Sequence, residues 1–248
     1  MKQYFITGDT HGKNYQRICQ MIEQYSCSPK NSSLIILGDA GFNFWLDKKE
    51  QKWKKRVNDL GYSIYCVRGN HEEHPKNLPN IQEIWDAEIQ GWVYTQPDFP
   101  NLKYLIDGNT YYFNNHSAIV LGGAYSVDKH YRLMQATLNR TDDWTGWFPD
   151  EQLTQQEMLD INNKVINHHY DLVLSHTCPF DWRPTALFLP VIDQSTVDNT
   201  MEIWMNELKD KFSWNSWFWG HFHANTDYHD GRYMLFENIY NLEDLIND

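Results

Sequence analysis

Gln3-Tyr4-Phe5-Ile6-Thr7-Gly8-Asp9-Thr10-His11-Gly12 opens the chain, and two later stretches repeat its form. Ser33-Leu34-Ile35-Ile36-Leu37 runs into Gly38-Asp39-Ala40-Gly41, and Ser63-Ile64-Tyr65-Cys66-Val67 runs through Arg68 into Gly69-Asn70-His71-Glu72. Each is a short apolar run that ends on a glycine and then on side chains able to hold a metal or move a proton. The apolar runs predict strands, and the segments between them, Lys13 to Tyr25 and Asp47 to Leu60, have the spacing of polar-faced helices. The pitch is about 30 residues, the length of one βαβ unit. Parallel strands connected this way bring their C-terminal turns together along one sheet edge, where open α/β sheets bind ligands.

Beyond Glu72 the rhythm loosens. Proline pairs mark loops, and a short helix is expected between Ile81 and Ala87. Tyr104 to Ile106, Thr110 to Phe113 and Ser117 to Leu121 predict strands of a second, more antiparallel sheet, the first two joined by an Asp107-Gly108 hairpin turn. Leu153, Met158, Ile161 and Val165 repeat at helical spacing between Asp150 and His168, and a further helix fits Val197 to Phe212. Asp171 to Ser175, Ser216 to Trp219 and Tyr233 to Phe236 complete the strands, with Asp230-Gly231 as a turn. No stretch rich in Gly, Ser or Pro divides the chain, so residues 1–248 are expected to form one α/β domain.

The 248 residues are 41% hydrophobic and 15% aromatic, with 13 Gly and 9 Pro, which excludes a low-complexity chain and leaves ample material for a core. The formal charge of −12 disfavours bulk nucleic acid as a partner. No apolar run reaches the roughly 18 residues of a membrane span. The apolar start, Met1 to Thr7, is too short for a secretory leader, so a cytoplasmic location is expected. Cys19, Cys27, Cys66 and Cys178 form no CxxC pair and are expected to be idle thiols.

The chemistry sits at the strand ends. After Asp9-Thr10-His11, Gly38-Asp39 and Gly69-Asn70-His71-Glu72 come Ser175-His176 and Gly220-His221-Phe222-His223. In extended backbone, residues i and i+2 point the same way, so Asp9 can converge with His11 on one ion. Two carboxylates, one amide and four imidazoles suit manganese, iron or zinc better than calcium. The order D-x-H, G-D, G-N-H-E, lone His, G-H-x-H resembles the calcineurin-like metallophosphoesterases over nearly the whole chain, from Asp9 to His223. That resemblance implies a four-layer αββα sandwich of two mixed β-sheets flanked by helices, with the metal site at the C-terminal strand edge. It implies two divalent metal ions, manganese foremost, with iron, zinc or nickel as alternatives. Asp9, His11 and His223 would hold one metal, Asn70, His176 and His221 the other, and Asp39 would bridge them. His71 would be the general acid. The reaction implied is hydrolysis of a phosphomonoester or phosphodiester by a metal-bridging hydroxide, and a small phosphate ester is the expected partner.

The chain departs from the family's phosphoprotein phosphatases at the second block. Those carry G-D-x-x-D-R, whereas Gly38-Asp39-Ala40-Gly41-Phe42-Asn43 lacks the second Asp and the Arg. Asn43 and Glu72 are the nearest candidates to orient His71 instead. For substrate phosphate the candidates are Arg68, beside the third block, and Tyr125, Lys129, His130 and Arg132 in the run after the Ser117 to Leu121 strand. Each has a structural alternative, for Arg68 a carboxylate on a neighbouring loop. Lys48, Lys49, Lys52, Lys54, Lys55 and Arg56 crowd one helix and are taken as a solvated face rather than an anion site. Two other functions remain open: a non-catalytic metal-binding scaffold, which has no need of His71, and a nuclease using the same site.

Overall fold

The computed structural model describes residues 2–139 and 144–246. Two sheets stack face to face. The first holds β1 (Gln3–Thr7), β2 (Ser32–Leu37), β3 (Ser63–Val67), β4 (Gln82–Asp86), β5 (Gly91–Thr95), β6 (Leu102–Leu105) and β13 (Tyr240–Asn241) in the order β13-β1-β2-β3-β6-β5-β4. The second holds β7 (Thr110–Phe113), β8 (His116–Leu121), β9 (His169–Ser175), β10 (Ser213–Trp219), β11 (Thr226–Asp227) and β12 (Arg232–Met234) in the order β11-β12-β10-β9-β8-β7. Helices α1 (Asn14–Tyr25) and α2 (Lys48–Asn58) cover the outer face of the first sheet, and α4 (Gln155–Val165) and α5 (Thr200–Leu208) that of the second. A helix α3 (Lys129–Asn139) follows β8, and a short α6 (Leu242–Ile246) ends the described chain.

The period-2 alternation of strands explains the four layers. Ile6, Ile35, Leu37, Tyr65 and Val67 face inward and meet Phe113, Val120, Leu172, Leu174 and Phe218 of the other sheet. Their neighbours Phe5, Leu34, Ile36, Ile64 and Cys66 face outward and pack on Ile18 and Met21 of α1 and Val57 of α2. On the second sheet Ile119, Leu121, Val173, Trp217 and Trp219 meet Met158 and Ile161 of α4 and Met205 and Leu208 of α5. Both faces of β2 are buried along its whole length, which is why that strand reads as an unbroken apolar run. Each such side chain contributes about 1.5–3 kcal/mol by leaving water. Strands β1, β2 and β3 are mutually parallel, as are β9 and β10, so their C-terminal ends meet at one edge.

The structure corrects four sequence expectations. The segment between Ile81 and Ala87 is not a helix but strand β4, paired antiparallel with β5. Five residues carry too little periodicity to separate the two, and the cross-strand partner decides. Asp107-Gly108 forms a turn but no hairpin, because β6 joins β3 and β5 while β7 joins β8 in the other sheet. The Asp107 carboxylate instead accepts from the Gly122 amide at 2.6 Å and from Arg68 Nε at 3.0 Å, tying the crossing between sheets. The second sheet is not more antiparallel than the first, since β8, β9, β10 and β12 run parallel. Lys129, His130 and Arg132 lie on the first turns of α3 rather than in a loop. All four cysteines are free thiols, and among the described residues no helix is long and apolar enough to cross a membrane.

Candidate metal centre

The strand ends carry their side chains to one place. Asp9 follows β1, Asp39 follows β2, Asn70 and His71 follow β3, His176 follows β9, and His221 and His223 follow β10. The blocks lace one another together through the backbone. His11 N donates to the Asp39 carbonyl at 2.9 Å, Gly12 N to Ala40 at 3.0 Å, and Gly220 N to His176 at 3.0 Å. Glycine makes this approach possible at two positions in particular. A Cβ on Gly69 would overlap Asp39 Oδ1, and one on Gly220 would overlap Asp9 Oδ1.

Each carboxylate is anchored by one oxygen and leaves the other free. Asp9 Oδ1 accepts from the His221 amide at 2.8 Å and Asp39 Oδ1 from the His71 amide at 2.9 Å. Asp9 Oδ2 and Asp39 Oδ2 are buried and make no hydrogen bond of good geometry. An orphaned buried anion is costly, and its usual answer is a cation. Asp9 Oδ2 faces His223 Nε2 at 3.2 Å and His11 Nε2 at 3.7 Å, while the two imidazole nitrogens stand 2.9 Å apart. These three ligand atoms all lie within 4.8 Å of one another, as do those of Asp9, Asp39 and His176.

Tautomers sharpen the fit. His176 Nδ1 lies 2.7 Å from the Leu37 carbonyl, which can only accept, so a neutral His176 carries its proton on Nδ1 and presents a lone pair at Nε2. That lone pair faces Asn70 Oδ1 at 2.8 Å. On the other side of the amide, Asn70 Nδ2 donates to Ser126 Oγ at 2.8 Å. His221 Nδ1 lies 3.1 Å from the same oxygen. The His176 lone pair and the Asn70 oxygen repel, and a shared cation converts the repulsion into coordination. The donor set and its orphaned oxygens therefore fit divalent metal ions.

The backbone is strained where the ligands are. His11, Asp39, His221 and His223 have φ values of 43°, 48°, 65° and 53°, a region that side-chain-bearing residues enter rarely and mostly at functional sites. The local field is also set. Burial alone would raise the Asp39 carboxyl, but His176, His71 and His11, with the His71 amide, hold it well below the usual carboxylate range. Burial and then His176 push His221 down to about 3, which leaves it a neutral imidazole. The interaction with the Asp9 carboxylate raises His223 above its ordinary value.

His71 belongs to neither ligand cluster, although its ring centroid is 6.1 Å from that of His11. Its Nδ1 is buried without a partner. Neither candidate for orienting it is hydrogen-bonded to it: Asn43 Oδ1 receives Lys54 and Tyr104, and Glu72 Oε1 receives the Gly69 amide. Burial lowers the His71 imidazole below its ordinary value, the Asp39 carboxylate opposes that, and Arg132 and Asp128 act on it with opposite signs.

The substrate candidates separate. Arg132 lines the same cleft of about 1020 Å³ as His11, His71 and His223, held by Asp128 at 2.7 Å and the Gly146 carbonyl at 2.9 Å. Arg68 does not line it. Its guanidinium is buried and used structurally, with Nε on Asp107 at 3.0 Å and the other nitrogens on the carbonyls of Asp150, Glu151 and Gly122. This is the alternative in which a neighbouring carboxylate takes the charge. Tyr125 is buried, and Lys129 lies over the rings of Trp147 at 4.1 Å and Tyr125 at 5.9 Å, both outside the cleft lining. His130 is exposed on α3 and also outside it. Sequence reasoning misses the opposite wall, where Phe44, Trp45, Lys49, Lys52, Trp53 and Arg56 face the centre. Its one signal is the spacing 49, 52, 53, 56 on a helix, which says nothing of where that helix lies.

Among solved structures, one crystal structure aligns over 98% of this chain and 96% of its own at 10% identity and a TM-score of 0.45. A protein serine/threonine phosphatase from Saccharomyces cerevisiae with similarity to human phosphatase PP5 aligns over 95% of this chain and 67% of its own at 13% identity and a TM-score of 0.35. Neither likeness is close enough to carry an argument. No curated protein sequence matches significantly. The sequence profile of the calcineurin-like phosphoesterases matches residues 3–225. Because that span takes in every strand-end block from Gly8 to His223, the chain belongs to the calcineurin-like phosphoesterases, a family of metal-dependent phosphoester hydrolases.

Proposed function

We propose that this chain hydrolyses a phosphate ester at a two-metal centre, with Asp9, His11 and His223 holding one ion, Asn70, His176 and His221 the other, and Asp39 shared. The observation that carries this is the convergence of two buried carboxylates, Asp9 and Asp39, each with an oxygen that makes no good hydrogen bond, on imidazole nitrogens from separate strands. Divalent cations held by these residues would neutralise the phosphate oxygens and acidify a bound water, and manganese, iron and zinc all suit a set of carboxylate, amide and imidazole donors. Asp39 suits the shared place because it feels histidines of both sets, His176 and His11. Only an anionic ligand can divide its charge between two cations. Asp9 also reaches both three-residue clusters, and its amide-anchored Oδ1 keeps its free oxygen on the side of His223.

His71 supplies the proton to the leaving oxygen. It borders the cleft, stands beside the ligands without being one of them, and is an imidazole, a side chain that holds and releases a proton near neutral pH; burial lowers its pKa and the Asp39 carboxylate opposes that. Arg132, anchored by Asp128, presents a cation to the substrate from the neighbouring wall.

The test is metal analysis of manganese-reconstituted protein alongside hydrolysis of p-nitrophenyl phosphate and bis-p-nitrophenyl phosphate. Two ions per chain and turnover of one ester are expected, and the ratio of the two rates assigns monoesterase or diesterase. Two bound ions with no turnover of either ester, of nucleotides or of oligonucleotides would replace the enzyme by a metal-binding scaffold.

A further inference from the structure

We infer that the cleft wall made by α2 and the turn before it is a second subsite, one that takes a nucleoside polyphosphate. The base lies against Trp45 and the non-reacting phosphates against Lys49, Lys52 and Arg56. This rests on the phosphoesterase proposal for which phosphate reacts, and not for the binding.

Lys49, Lys52, Trp53 and Arg56 are spaced i, i+3, i+4, i+7 and so share one face of α2, running about 10 Å along its axis. That face borders the cleft that contains His11, His71 and His223. Two other bases of the helix are spent elsewhere. Lys54 is buried against Asn43 and Gln96, and Lys55 pairs with Asp59 at 3.1 Å. Lys49 and Lys52 have no ion pair or hydrogen bond among the described residues, and Arg56 lies over the Tyr15 ring at 4.2 Å instead of against an acid.

The acids lining the same cleft are engaged locally. Asp47 caps α2 through the Glu50 amide at 2.7 Å, Glu50 accepts from the Trp45 amide at 2.6 Å, and Asp128 holds Arg132. Among the described residues the wall therefore carries two cations without an acid partner, Lys49 and Lys52, in a protein whose formal total is −12. A solvated helix face requires no such alignment with a site.

An aromatic platform accompanies the row. Trp45 is 58% exposed, yet its ring is held flat by stacking on Trp144 at 4.6 Å and 16°, with Phe44 edge-on to both. An exposed, fixed ring beside a basic row is the arrangement that binds a base and its phosphates together. The cleft, about 1020 Å³, is at the upper end of small-molecule sites and exceeds what a simple monoester fills. The short row and the negative total favour a small polyphosphate over a polymer.

The experiment is calorimetric titration of β,γ-methylene ATP and of inorganic phosphate into manganese-loaded and EDTA-treated protein, with thermal unfolding of each variant as a check on folding. The Lys49→Ala/Lys52→Ala double variant and Trp45→Ala are each expected to weaken the analogue about tenfold, at least fivefold more than they weaken phosphate. Lys55→Ala, at a lysine that pairs with Asp59 and lies outside the cleft lining, is expected to change neither. Equal losses for both ligands, or an analogue that binds no tighter than phosphate, would overturn the subsite. A single-stranded hexanucleotide binding tenfold tighter than the analogue, with the same lysine dependence, would overturn the small-molecule assignment in favour of a nucleic-acid end. Lysine-dependent analogue binding without any turnover of p-nitrophenyl phosphate would support the subsite while removing the catalytic proposal. Turnover without analogue binding would do the reverse.

Discussion

Replacing Asp39 by Asn should lower the stability of the metal-free protein modestly and remove most of its response to metal. Asp39 is 1% exposed, its Oδ1 accepts from the His71 amide at 2.9 Å, and its Oδ2 makes no hydrogen bond. Against burial, His176, His71 and His11 hold its carboxyl well below the ordinary range, so the fold stabilises the anion, and Asp39→Asn gives that up while keeping an acceptor for the His71 amide. Exchanging a charge-assisted hydrogen bond for a neutral one costs about 1 kcal/mol. For a chain of this size, about 1 kcal/mol moves Tm by roughly 2–4 °C, so the EDTA-treated variant should melt a few degrees below the EDTA-treated parent. Manganese at a hundred times its Kd stabilises the parent by about 2.7 kcal/mol per site, roughly 10–20 °C for two sites. Losing the shared ligand should cut that shift by more than half. Thermal unfolding in EDTA and in manganese, with metal analysis after gel filtration, measures both. A variant that melts above the parent in EDTA, or that keeps the whole manganese shift, would refute the reading of Asp39 as a buried anion favoured by its histidines and completed by a cation.

Other expectations follow from neighbouring residues. His71→Asn should keep its manganese and its metal-induced Tm shift while kcat falls about 10²–10⁴-fold. The fall should be larger for phenyl phosphate than for p-nitrophenyl phosphate, whose leaving group hardly needs a proton, and loss of metal would disprove the acid role. Arg68→Ala should cost about 3–5 kcal/mol in urea unfolding, because it leaves Asp107 Oδ2 without its cation and takes a donor from the carbonyls of Asp150, Glu151 and Gly122. A raised KM with unchanged stability would instead return Arg68 to the substrate. Burial holds Lys54 down at about 8 against the ordinary 10.5. As pH falls from about 10.5 to 8 the unfolded chain gains a proton that the folded one resists, so this group's penalty is complete below 8 and stability should rise from pH 8 toward 10. Lys54→Met should flatten that slope, and parallel pH profiles for the two proteins would contradict it.

Much of the centre is legible in the amino-acid sequence because its code is local. Strands β1, β2 and β3 carry unbroken apolar runs, and each ends on a glycine-led block whose side chains need only the strand's own geometry to point outward. The hairpin of β4 and β5 is not legible, since Gln82–Asp86 becomes a strand through pairing with Gly91–Thr95, not through a pattern of its own. The run after β8 misleads for a related reason. Gly122 and Gly123 read as a flexible start, while the helix begins only at Lys129 and turns His130 and Arg132 in different directions.

Residue type and spacing alone determined the parallel strand-turn-helix rhythm, the ligand blocks and their order, and the chemistry those ligands favour. Tertiary structure alone decided how each charge is used. Arg68 and Arg132 are the same side chain in the sequence, but one is enclosed by Asp107 and three carbonyls and the other borders the cleft. The lysines of α2 are equivalent in sequence, but Lys54 is buried, Lys55 is paired, and Lys49 and Lys52 overlook the centre. The reason is range. Alternation along a strand and the turn of a helix act between near neighbours, whereas desolvation and charge pairing depend on segments that meet only when the two sheets close on each other.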